Sequence, residues 1–248
     1  MLFLKKIKQV NEDADNQADV LRLSLDAKNK VKIGLFSRGG KSYAKVKALD
    51  HDFGNEFITP QGLFIPKLDE VQMYFTSSSV TANFIVDMLI QFWTNNQHRF
   101  SNVKKIVLNQ DNGPECKSTR TQFIKRICEF SGKYDLIVYL AYYPPYHSKY
   151  NPIERVWGIL EQHWNGSILD TVDSVLKYAQ SMKWKGNYPA IYHIENKYRT
   201  GIKLDKRTMD AYEKIIERDK ELGKWFIEIK PEKCKKLIMP SLWQNWNY

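Results

Sequence analysis

Apolar positions along the chain change period several times, and each change marks an element. Leu21, Leu23 and Leu25 alternate with Arg22, Ser24 and Asp26, and Val31, Ile33 and Leu35 keep the same parity. This predicts one half-buried strand, or two joined by an irregularity near Asn29. Further strands are expected at Ala44 to Leu49 and Val71 to Phe75, separated by a Gly- and Pro-bearing loop from Gly54 to Pro66. Val80, Phe84, Ile85, Met88, Leu89, Phe92 and Trp93 repeat at helical spacing. Lys105 to Asn109 is an unbroken apolar run, as in a central parallel strand. A helix through Phe123, Ile124, Ile127 and Phe130 and a strand from Leu136 to Leu140 follow.

Pro144 and Pro145 end that strand, since proline cannot continue a ladder and holds its predecessor extended. Asn151 then reads as a helix N-cap, Pro152 as the first helical residue and Glu154 as the third, an Asn-x-x-Glu variant of the capping box. Ile153, Val156, Trp157, Leu160 and Trp164 give this helix one apolar face. Beyond it, Asp170 caps a helix that Gly186 ends, a charged helix starts at Asp205 with Met209, Tyr212, Ile215 and Leu222 as its seam, and Trp225, Ile227 and Ile229 alternate as a last strand.

The order of elements fits an α/β, RNase H-like fold: a mixed five-stranded sheet flanked by helices, with a C-terminal helical extension. The expected boundaries are a linker-like segment over 1–20, a catalytic domain over 21–186, a helix and strand extension over 187–230, and a basic aromatic tail over 231–248. In such a fold an acid on the first strand, one at the carboxyl end of the fourth and one on the helix after the fifth converge at one edge. Asp26, Asp111 and Glu154 hold those places. Each has an ordinary reading as well: a solvent-facing acid on a half-buried strand, a residue of the turn Asp-Asn-Gly-Pro, and a helix cap.

Composition adds a bias rather than an answer. With 38 Lys and Arg against 28 Asp and Glu, the 248 residues carry a net charge of +10, as expected of a chain that meets polyanions. No run approaches a membrane span and no secretory leader opens the chain, so a soluble, cytoplasmic, nucleoid-associated protein is expected. The 3 cysteines, Cys116, Cys128 and Cys234, are far apart and give no zinc spacing. Gly34 and Ser37 to Ser42 nearly spell a phosphate-binding loop, but the first glycine is one residue early and a strand follows, so a hairpin turn is expected. His51 and Asp52, side by side on a strand, point to opposite faces and read as structural.

The string PPYHSKYNPIERVWG resembles the segment carrying the last acid of DDE transposases of the mariner superfamily and its insertion-sequence relatives. With SLDAKNKVKIG around Asp26, SRGGKS, and VLNQDNGPE around Asp111, most of the chain resembles a DDE transposase of the ISAzo type. The resemblance implies divalent-metal-dependent cleavage at transposon ends and strand transfer to target DNA. Asp26, Asp111 and Glu154 are then both catalytic residues and metal ligands. Clustered carboxylates repel unless cations neutralise them, and oxygen-only ligands favour Mg2+ or Mn2+, here two ions with Asp26 bridging. Arg38, Lys41, His147, Lys149 and Arg155 are the candidate DNA contacts.

Two departures from the mariner pattern stand out: a longer interval from Asp111 to Glu154, and Cys116 about where relatives often carry a His. Asp26 also lies early, so a truncated or separately encoded catalytic half is expected, acting as a homo-oligomer beside an N-terminal DNA-binding half. The alternative is an inactive remnant that only binds nucleic acid or oligomerises. A metal-free glycosidase built on paired acids is a third, remote reading.

Overall fold

The structure is a computed structural model and describes residues 2–36, 56–144, 147 and 150–242. The expected strand over Ala44 to Leu49, the Ser37 to Ser42 turn and His51 and Asp52 lie outside them. In chain order the elements are α1 (Leu2–Asn16), β1 (Val20–Ala27), β2 (Val31–Lys32), β3 (Phe57–Ile65), β4 (Glu70–Thr76), α2 (Ala82–Asn96), β5 (Lys105–Asp111), α3 (Thr121–Tyr134) and β6 (Ile137–Tyr143). Then come α4 (Glu154–Trp164), α5 (Val172–Ser181), β7 (Ala190–His193), α6 (Lys206–Glu213), β8 (Ile216–Arg218), β9 (Phe226–Ile229) and α7 (Pro231–Leu242). Of the expected strands, those around Leu21, Val71, Lys105 and Leu136 are present as β1, β4, β5 and β6 and the last as β9, in a mixed α/β arrangement that also contains β2, β3, β7 and β8. The chain divides into two compact units, with β1 running from one into the other between Leu23 and Ser24.

The first unit comprises Met1–Leu23, Thr81–Ser148 and Arg199–Tyr248. Its strands follow the order β1-β5-β6-β9-β8, with β5 parallel to β6 and β9 antiparallel to both β6 and β8. The first twenty residues, expected as a linker, instead contain α1. Ile7 and Ala14 are buried against Val107, Ala141, Tyr143 and Phe226, with Phe3 and Val10 packed alongside, so the apolar side of α1 repeats at helical spacing. The polar residues that looked like linker material are also used. Arg22 binds Asp15 through two nitrogens at 2.5 and 2.8 Å, Asn109 donates to Asn11 at 2.9 Å, and Asn11 donates to Tyr143 at 3.3 Å. The charged helix from Asp205 is shorter than its seam implied: α6 ends at Glu213, and Ile216 enters β8 instead.

The second unit comprises Ser24–Val80 and Lys149–Tyr198. Its strands follow the order β7-β4-β3-β1, with β2 also on β3 and only β4–β7 parallel. Here the expected loop from Gly54 to Pro66 is largely β3, buried along nearly its whole length. Pro60 is tolerated because its carbonyl accepts from Lys28, just past the end of β1, so the missing N–H falls where the ladder has run out. Ile58, Phe64, Met73 and Phe75 form the unit's core with Val156, Trp157, Leu160 and Trp164 of α4 and Val175 and Ala179 of α5. Each fully buried aliphatic side chain contributes roughly 1.5–3 kcal/mol to that packing. Thr171, not Asp170, caps α5, and its side chain accepts from the Ser174 N–H. Gly186, with φ of +88°, sits with Lys185 in a two-residue turn that pairs Trp184 with Asn187 and does not end a helix.

Candidate active site

Asp26 is the seventh residue of β1 and shares a face with Ser24, Gly62 and Phe64, because Asp26 pairs with Gly62 and Ser24 with Phe64. That face is not a solvent surface: Ser24 is fully buried under the start of α4. The capping box expected there does not form. Glu154 opens α4 behind Ile153, which makes no side-chain cap. The Asn151 side chain turns to β1 instead, donating to the Leu25 carbonyl at 2.8 Å and accepting from the Ser24 hydroxyl at 2.5 Å. Ser24 Oγ in turn accepts from the Ile153 backbone N–H at 3.0 Å, so a hydroxyl from a distant strand does the capping.

One helical turn after Glu154, Trp157 donates its indole N–H to Asp26 Oδ2 at 2.8 Å. Residues three apart share a helix face, so Glu154 opens α4 on the side that faces Asp26. Further along, Lys28 just after β1 pairs with Glu161 of α4 at 2.5 Å. Gly62 makes the approach possible: a Cβ there would meet the Trp157 ring at 2.7 Å and Ile153 at 2.8 Å. Asp26 and Glu154 are each partly exposed, and Arg155 is exposed.

Asp111 belongs to the other unit, as the last residue of β5. Burial pushes its carboxyl above the ordinary carboxylate range, while the Gly113 backbone N–H and the Cys116 thiol pull it back down. The following turn is fixed from several sides. Asn112 accepts from the Ser118 N–H at 3.0 Å, the buried Tyr142 donates to the Cys116 carbonyl at 2.8 Å, and Arg218 donates to the Ser118 carbonyl at 2.9 Å. Cys116 faces the acid's own backbone, its thiol 3.4 Å from the Asp111 carbonyl and 3.9 Å from Oδ1.

The structure thus brings Asp26 and the start of Glu154's helix together within one unit and holds Asp111 at a strand end in the other. Among the described residues, no group of three or more His, Cys, Asp and Glu side chains is gathered closely enough to hold a metal ion. Asp26, Asp111 and Glu154 each offer carboxylate oxygens, the donor type that Mg2+ and Mn2+ take, and the charge on Asp111 is one that burial disfavours. Of the candidate DNA contacts, Arg155 is exposed and His147 half-buried, while Arg38, Lys41 and Lys149 fall outside the described residues. Sequence reasoning missed Ser24, Asn151 as a tertiary partner, Gly62, and Trp157 as a donor rather than a core residue. The shared parity of Ser24 and Asp26 was the available signal.

No described helix is long and apolar enough to cross a membrane. The family model of the Rhodopirellula transposase DDE domain matches residues 2–231. No curated protein matches the chain. Among solved structures, the Mos1 transposase paired-end complex with left transposon end is similar at 13% identity and a TM-score of 0.50, over 71% of this chain and 50% of that one. The Mos1 mariner paired-end complex with Mn is similar at 12% identity and a TM-score of 0.47, over 70% of this chain and 51% of that one. The chain therefore spans about half the length of these solved relatives. The likeness to the first is one of fold, an RNase H-like catalytic domain. With the family match extending across nearly all of its residues, the chain belongs to the DDE transposases, as a catalytic domain of the Rhodopirellula type.

Proposed function

We propose that this domain cleaves DNA at transposon ends and transfers the freed strand to target DNA, with Asp26, Asp111 and Glu154 as the acids that carry the reaction. The observation that carries this reading is the Trp157–Asp26 hydrogen bond. It fixes the strand bearing the first acid against the helix that opens with the third, two positions assigned on different grounds. All three acids lie within the proposed catalytic part, residues 21–186.

Asp26, Asp111 and Glu154 would be the residues that hold the Mg2+ or Mn2+ ions, two in number. Bound there, such ions activate an attacking water or sugar hydroxyl and steady the leaving oxygen of a phosphodiester. The protein's own part is orientation. Asp26 is held at Oδ2 by the indole N–H, Asp111 by the clamped turn behind it, and Glu154 by the docked start of α4. Arg155, exposed beside Glu154, is placed to meet backbone phosphates, with His147 a second contact. The net charge of +10 favours that encounter. Homo-oligomerisation and a DNA-reading part outside these residues belong to the same proposal.

Purified protein incubated with supercoiled plasmid and Mn2+ tests it. Nicking that is abolished by Asp111→Asn and by chelation is the expected result. Equal nicking by Asp111→Asn overturns the assignment.

A further inference from the structure

Trp157, Ser24 and Asn151 do more at the start of α4 than fill space. An indole has one polar group, a donor, and here it is spent on a carboxylate oxygen, a charge-assisted bond stronger than a neutral one. Trp157 is 5% exposed, and filling that space needs an aromatic surface but no N–H, so packing alone leaves the donor unexplained. Ser24 and Asn151, at 0% and 1% exposure, form a closed set with the Ile153 N–H and the Leu25 carbonyl. The Ser24 hydroxyl both donates and accepts, which fixes its rotamer and the Asn151 amide with it. The two attachments lie on either side of Glu154: one at the Ile153 N–H just before it, the other at Trp157 one turn after it. On β1 they straddle Leu25, at Ser24 and Asp26.

We infer that Trp157, Ser24 and Asn151 are positioning residues that set the Asp26 and Glu154 carboxylates as a preformed pair for a divalent cation. Trp157 orients Asp26 directly, and the Ser24–Asn151 pair sets where Glu154 leaves the sheet. The inference rests on the reading that Asp26 and Glu154 are ligands. Partners behind a ligand fix its orientation, and losing one costs about 10–100-fold in metal affinity.

The test is calorimetric titration of the whole chain with Mn2+, without DNA, on folded protein as judged by circular dichroism. Trp157→Phe keeps an aromatic ring, a smaller one, and removes the N–H, so its loss of packing has to be matched by a control. Leu160→Ala, fully buried one turn further along α4, removes packing and no hydrogen-bonding group. The expected result is Mn2+ affinity weakened about 10–100-fold in Trp157→Phe and within about threefold of wild type in Leu160→Ala. Ser24→Ala should weaken Mn2+ binding and Ser24→Thr, which restores the hydroxyl, should recover it. These give the same comparison if Trp157→Phe does not fold. Affinity unchanged in folded Trp157→Phe, or lost equally in Leu160→Ala, overturns the inference while leaving the proposed reaction standing. Wild-type protein whose Mn2+ binding is unaffected by Asp26→Asn overturns the ligand assignment itself, and the inference with it.

Discussion

Gly62→Ala is the smallest change that should disturb both the fold and the site. The new Cβ would lie 2.7 Å from Cζ2 of Trp157 and 2.8 Å from two carbons of Ile153. Carbon atoms pack best at about 3.5–4.0 Å, so roughly 0.7 Å or more of relief is needed. Neither side can give it cheaply. Gly62 is held between Asp26 on β1 and Met73 on β4, and both Trp157 and Ile153 are buried. Overpacking of this kind costs about 2 kcal/mol, and the lower chain entropy of alanine returns about 0.7, leaving roughly 1.3 kcal/mol of destabilisation. For a chain of this size that is a fall in thermal midpoint of about 3–5 °C. The relief has to come from α4 tilting off β3, which lengthens the Trp157–Asp26 bond. Scanning calorimetry in chelator reads the first effect, and the Mn2+ concentration for half-maximal nicking reads the second, which should rise. A midpoint that stays level or rises, with Mn2+ dependence unchanged, would refute the claim that Gly62 exists to admit the helix.

Asp111→Asn should raise the thermal midpoint in chelator at neutral pH while abolishing nicking, because it removes a charge that burial disfavours. The sign is fixed: the folded carboxyl sits above its ordinary value of 3.8, so wild-type stability from this group is intact below that value and falls as pH rises through the folded one. The mutant's advantage should therefore disappear in scans run below about pH 4, and an advantage that persists there contradicts the burial argument. Cys116→Ala should change the nicking rate by no more than about threefold, since its thiol bonds the Asp111 backbone more closely than the carboxylate; a larger loss in a plasmid assay would give Cys116 a part in the chemistry. Ser24→Ala leaves the buried Asn151 amide oxygen and Ile153 N–H without a partner and should cost about 1–3 kcal/mol, read by urea unfolding.

The elements that carry the site were legible where local pattern and tertiary role agree. Alternation around Asp26, the apolar run from Lys105 to Asn109 and the apolar face from Ile153 to Trp164 survive as β1, β5 and α4. Reading failed where a residue's partner is remote in sequence. Asn151 has the chemistry of a cap, but its amide is used by β1, and a strand hydroxyl caps the helix instead. Pro60 and Gly62 are breakers by local rule, yet one sits past the end of its neighbour's ladder and the other clears space for an incoming tryptophan. Asn11 and Asp15 looked like linker because they are polar, whereas their polarity serves Asn109 and Arg22. Trp157 fitted the apolar stripe of α4 so well that its donor was overlooked.

The account stands or falls on whether Asp26, Asp111 and Glu154 are cation ligands. Mn2+ titration of wild type, Asp26→Asn, Asp111→Asn and Glu154→Gln, each confirmed as folded, addresses that directly. The prediction is that all three substitutions weaken binding by at least about tenfold, Asp111→Asn included. Binding by Asp111→Asn indistinguishable from wild type would contradict it.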